Sequence, residues 1–163
     1  MPWPPFTVRQ LMLQLLLALF FVTVGVVVEG LANLNIGEII VLGAWPVLFT
    51  HKLLGNRPAV LAGLGKITWF AGAMAAAFAY FIVPIMYYQV IWGWPGVVAG
   101  IVCAILAPLQ LILFIVASAF NDGSPPYAVR FIGGMSFGLA AFLMMGAATQ
   151  PSPWRFFRRT EHL

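Results

Sequence analysis

Few residues in this 163-residue chain can do chemistry, and four of them sit close together. The stretch VVVEGLANLNIGEII (26–40) holds two carboxylates, Glu29 and Glu38, and two amides, Asn33 and Asn35. The whole chain has only four acidic residues, so half of its negative charge lies here. Two carboxylates and two amides facing a cavity inside a membrane would bind a cation or relay protons, because a carboxylate at mid-bilayer costs about 2.5–3.5 kcal/mol and needs a partner. The same residues also fit a capped turn between two helices. Asn33 or Asn35 would then cap the second helix, and Glu38 would stand in its first turn, where the helix dipole favours negative charge. The capped turn is the more economical reading, and it predicts that both glutamates lie in or near water.

The other reactive side chains form no motif. His51 and His162 are on different segments, which does not make a bis-histidine haem or metal site. Thr68, Ser118 and Ser136 have no base near them in sequence. No phosphate-binding glycine loop and no H-E-x-x-H motif occurs. Cys103 is the only cysteine, which excludes an intrachain disulfide, and it falls in an apolar run. The catalytic and metal assignments are therefore empty.

The elements that position these residues follow from composition. The chain is 63% hydrophobic and 7% charged, with a mean hydropathy of +1.00. Soluble domains carry about 25% charged residues, and a chain this short has no interior large enough for so much apolar surface. Its solvent is a lipid bilayer. The net charge of +4 makes no basic stripe, so nucleic acid is not the partner; the basic residues flank spans and meet anionic headgroups.

A membrane helix needs about 20 apolar residues. That length predicts an all-α polytopic membrane protein, one domain over 1–163, with spans at about 10–32, 36–53, 67–88, 96–120 and 131–149 and an interfacial basic-aromatic tail at 150–163. Trp92 and Trp94 anchor a turn at the headgroup level, and Trp154, Arg155, Arg158 and Arg159 anchor the tail. NDGSPPYAVR (121–130) reads as a polar loop, and Pro84 and Pro108 are expected to bend their helices without breaking them. The N-terminal run after Arg9 reads as an uncleaved signal anchor.

The second segment is short and contains Glu38 and Pro46, so five crossings compete with four plus a re-entrant segment. With five, the inner side carries Arg9, Lys52, Arg57, Lys66 and Arg130 and the outer side Arg155, Arg158 and Arg159; with four, the charges split evenly. The positive-inside bias therefore favours five.

Small residues mark packing faces: Gly96 and Gly100 in GVVAG, Gly134 and Gly138 in GMSFG, and AGAMAAAFA (71–79). No internal repeat is visible. With tiny loops and abundant packing faces, the expected function is a non-catalytic subunit of a larger membrane complex, energy-converting, photosynthetic or transport, with other membrane subunits as partners. Lipid, quinone or pigment would be the cofactors that such helices hold between them. The alternatives are a small homo-oligomeric transporter or channel with its site at Glu29, Asn33, Asn35 and Glu38, and an intramembrane enzyme. Scarce lysine beside plentiful alanine, glycine and arginine points to a bacterial gene and its cytoplasmic (inner) membrane.

Overall fold

The computed structural model describes residues 8–53, 58–120 and 125–149. Among these the chain is helical with no strand, and three helices are long and apolar enough to cross a membrane: Arg9–Glu29, Ala59–Trp92 and Pro126–Thr149. The helices are α1 (Val8–Glu29), α2 (Ile36–Leu53), α3 (Pro58–Ala77), α4 (Val83–Trp92), α5 (Trp94–Ile105), α6 (Ala107–Phe120) and α7 (Pro125–Thr149).

Four helices, α1, α2, α3 and α7, run alternately up and down. Gly25 lies against Phe137 and Glu29 against Gly133, and Gly146 faces Gln14, so α1 and α7 are antiparallel along their length. Gly37 meets Ala71 at the top of the α2–α3 pair, and Lys52 reaches Ala148 at the bottom. Five successive crossings would leave the first and last helices parallel, and a five-helix bundle is not confirmed: α7 returns antiparallel beside α1, and Arg130 shares an end with the 30–35 turn, away from His51 and Lys52. The charge bias could not see this, because pairing between helix ends, not lysine and arginine totals, sets the direction of α7.

Helix α7 is the centre of the bundle, packing on α1, α3 and α2. Its seam with α3 is made of small residues. A Cβ on Gly138 would stand 2.5 Å from the Ala76 Cβ, and one on Gly134 would stand 2.5 Å from the Ala79 Cβ. Such backbones approach closely because no side chain intervenes. The main apolar cluster, including Leu15, Val41, Leu48, Phe137 and Met144, lies inside these four helices.

Helix α3 begins at Pro58, nine residues before the expected start at 67, and runs through a π-helical turn (Phe78–Ile82) into α4 without a break. The wider turn hands the Val83 N–H to Phe78 O. Pro84 has no N–H to give to the preceding turn. The fully buried Gln110 supplies a donor there, its Nε2 lying 3.2 Å from Tyr80 O. Pro84 thus sits in a continuous helix. At Pro108 the outcome is different, and the expected bend is a break. Leu106 leaves the helix at φ −96°, ψ 68°, and α6 starts at Ala107. The proline ring crowds the residue before it, and a proline in the first turn of a new helix lacks only a donor that turn does not use.

Gly93 joins α4 to α5 at φ 63°, a conformation that glycine adopts without strain. It closes a hairpin in which Gly96 lies on Tyr88 O and Gly100 on Ile85. A second cluster, Val83, Tyr87, Tyr88, Phe114, Ala117 and Phe131, joins this hairpin and α6 to the start of α7. The polar loop expected over 121–130 is helical from Pro125, with proline in the first turn.

Candidate functional site

Helix α1 ends at Glu29, where Gly30 turns the chain at φ 77°. A 3-10 turn (Leu31–Asn33) follows, and the Asn33 Nδ2 donates to Glu29 O at 2.9 Å, closing the end of α1. Asn35 then caps α2. The Glu38 N–H donates to Asn35 Oδ1 at 3.0 Å, and the Asn35 N–H donates to Glu38 Oε2 at 2.7 Å. Each side chain satisfies a backbone donor that the first turn would otherwise leave open.

The structure brings Glu29, Asn33, Asn35 and Glu38 together and adds a residue that the sequence placed on the opposite side. Arg130 Nη1 of α7 donates to Glu29 Oε2 at 2.9 Å and lies 4.0 Å from Glu38 Oε2. One guanidinium thus serves two carboxylates. The Glu29 side chain has 0% of its surface exposed and Glu38 2%, so the expectation that both stand in water is corrected. Burial comes from α7: Gly133 has no side chain, and a Cβ there would collide with the Glu29 carboxylate. Gly37 likewise lets α2 meet α3, a Cβ there falling 2.9 Å from Ala71 O.

The Arg130 side chain is 38% exposed. It borders a hollow of about 330 Å³ lined by Asn35, Phe78, Val83, Met86 and Tyr127, and a wider one shares Asn35 and Phe78. Arg130, the outer member of the Glu29–Glu38–Arg130 triad, is therefore the one cationic wall of a largely apolar cleft that neither glutamate lines.

The packing glycines fall elsewhere. Gly134 and Gly138 are in the α3–α7 seam, and Gly96 and Gly100 in the α4–α5 hairpin. Trp92 and Trp94 flank the hairpin turn with exposed rings. Trp154, Arg155, Arg158, Arg159 and His162 lie outside the described residues. His51 stands in the last turn of α2, at the far end from the triad. Among the described residues no group of three histidine, cysteine, aspartate or glutamate side chains could hold a metal.

Sequence reasoning missed Arg130, Gly133, Gln110 and Lys52. Lys52 is buried, and its Nζ donates to Ala148 O at 3.3 Å, in the last turn of α7, where the helix dipole favours a cation. A signal did exist for Arg130. It stands one turn before the Gly133–Gly134 pair at the start of an apolar helix, where a close neighbour can reach it. No family model, curated protein or solved structure gives a match to this chain.

Proposed function

We propose that this protein is a non-catalytic integral membrane subunit of a larger assembly, built as a four-crossing bundle with an added docking element. In this reading α1, α2, α3 and α7 cross the bilayer. The 18 residues of α2 measure about 27 Å at 1.5 Å per residue, close to the hydrocarbon thickness of about 30 Å.

One observation carries the reading. The 34-residue helix Ala59–Trp92 is about 51 Å long, well beyond that thickness. Its Tyr87 packs on Tyr127 near the start of α7, and the helix runs on past that point before α5 and α6 bring the chain back. This projecting part keeps bulky apolar groups outward: Val90 is 70% exposed and Trp94 79%. α5 and α6, at 12 and 14 residues, are too short to span the bilayer singly. Exposed apolar patches mark contact sites for protein or membrane, and in this reading the part beyond the hydrocarbon core is covered by another protein chain. The charged residues support the same reading, since Glu29, Glu38, Arg130 and Lys52 are all engaged at helix ends inside the chain.

The alternative, a small homo-oligomeric transporter or channel in a bacterial inner membrane, draws on the cleft that reaches Arg130. The test is purification from native membranes in mild detergent, with a photo-crosslinker at Trp94 or Val90 and a control at Phe142. Stoichiometric crosslinks to a different chain at the hairpin positions, absent from the control, support the subunit reading. Crosslinks only between copies of this chain favour the alternative.

A further inference from the structure

We propose that the cleft beside Arg130 binds a lipid-soluble quinone, with a ring carbonyl hydrogen-bonded to Asn35 and Arg130 and the hydrocarbon tail laid along α2 and α3. A π-helical turn builds one wall. Phe78 and Val83 are five residues apart, and on a regular α-helix their side chains would point about 140° apart. The π-turn hands the Val83 N–H to Phe78 O, and both residues line the same cleft, with Met86 beside them. Widened turns of this kind recur at functional sites. Arg130 and Tyr127 of α7 supply another wall, and Asn35 joins them from the cap of α2.

The polar groups on these walls can donate. Asn35 Oδ1 accepts the Glu38 N–H at 3.0 Å, which fixes the orientation of the amide, and among the described residues no acceptor takes its Nδ2. The guanidinium has five N–H groups. It donates to Glu29 through Nη1, while its side chain is 38% exposed. A ligand here therefore supplies an acceptor. That acceptor is uncharged, because Arg130 already pairs with Glu29 at 2.9 Å and lies 4.0 Å from the Glu38 carboxylate; a phosphate or a carboxylate would compete with both.

The apolar part sets the rest of the ligand. Phe78 and Tyr127 place aromatic rings on two helices of the cleft, and Met86 adds a thioether, a lining that suits a flat conjugated ring. The volume of about 330 Å³ falls within the range of small-molecule sites. The second hollow, about 510 Å³, shares Asn35 and Phe78 and continues over Leu34, Ile39 and Met74; apart from Asn35 its side chains are all apolar. A head pocket with donors joined to an apolar groove matches a carbonyl-bearing ring with a long hydrocarbon tail. This site stands whether or not the chain is a subunit of an assembly.

Photoaffinity labelling of the purified full chain in lipid nanodiscs tests this, with an azido derivative of decylubiquinone as the probe and peptide mass spectrometry to place the adducts. In the wild type the adducts are expected within 74–86 and 126–130, and excess decylubiquinone should remove them while excess phosphatidylglycerol does not. Asn35→Asp keeps an oxygen to cap α2 but loses the amide donor, so labelling should fall on the order of tenfold. Met86→Trp leaves the cap and the ion pair in place and fills the cleft, and it should lower labelling as far; Met86 is exposed, so the larger ring should not prevent folding. Phe142→Trp, exposed elsewhere on α7, should label like the wild type. Circular dichroism checks that each variant is folded, and Met86→Trp decides the matter if Asn35→Asp is not. Adducts spread over the lipid-facing helices and insensitive to decylubiquinone, or full labelling of either folded cleft variant, would overturn the proposal. So would competition by phosphatidylglycerol, which would make the site one for a lipid phosphate.

Discussion

Replacing Gly138 by alanine adds one methyl group to the seam between α3 and α7, and the structure gives the size of the consequence. The new Cβ would stand 2.5 Å from the Ala76 Cβ and 3.3 Å from Gly72 O. Carbon atoms rest about 3.5–4.0 Å apart, so the helices must part by roughly 1 Å, and a gap of that size forfeits a quarter to a half of each nearby contact's attraction. Overpacking of this kind costs about 1–3 kcal/mol. The better helix propensity of alanine returns up to about 1 kcal/mol. The expected net loss is therefore about 1–2 kcal/mol, and Gly138→Leu should lose more. Gly63 is the control, since a Cβ there meets nothing within 4 Å, and Gly63→Ala should be neutral or stabilising. Unfolding of the purified protein by sodium dodecyl sulfate in mixed micelles, followed by circular dichroism, measures both. Ala76→Gly removes the opposing methyl but itself costs up to about 1 kcal/mol of helix propensity, so the readout is the coupling: Gly138→Ala should cost clearly less in an Ala76→Gly background than in wild type, which a double-mutant cycle reads directly. If Gly138→Ala and Gly63→Ala behave alike, or if the cycle shows no coupling between positions 76 and 138, the close α3–α7 approach is refuted.

Three further outcomes follow from the same geometry. In a Cys103→Ser background, cysteines at His51 and Thr149 should label from one side of the membrane and a cysteine at Ala32 from the other; labelling of positions 51 and 149 from opposite sides would restore an odd number of crossings. Glu38→Gln keeps an acceptor for the Asn35 N–H and should lower stability by no more than about 1 kcal/mol, the helix-dipole contribution, with membrane levels unchanged on immunoblots; loss of the folded protein would show that the charge itself holds the turn. Gln110→Leu removes the donor to Tyr80 O from a fully buried position and should cost about 1–3 kcal/mol in the same detergent titration, whereas a midpoint equal to wild type would mean that the amide contributes nothing there.

The sequence by itself determined the features that short-range physics controls. Apolar length and the near absence of charge showed that the chain is helical and suited to a membrane. A cap on the second helix with Glu38 in its first turn was legible, although Asn33 and Asn35 were both open as the capping residue, and Trp92, Trp94 and Pro95 marked the turn that Gly93 makes; these rules act within one turn of helix. The fold decided everything that depends on which faces meet. Arg130 and Glu29 are 101 residues apart, and nothing local tells an arginine at a helix start which carboxylate it will find. The charge count that stood in for that knowledge was nearly balanced, and it favoured five crossings where the packing makes α1 and α7 antiparallel. Burial of the two glutamates was equally hidden, because it depends on Gly133, a residue whose role is to be absent from the space Glu29 fills. Pro84 and Pro108 show the same division. Each removes one backbone donor, and the sequence gives them the same meaning. One helix stays whole and the other breaks because the turn before Pro84 widens and Gln110 reaches it from another helix, while the residue two before Pro108 turns out of the helical conformation and a new helix starts.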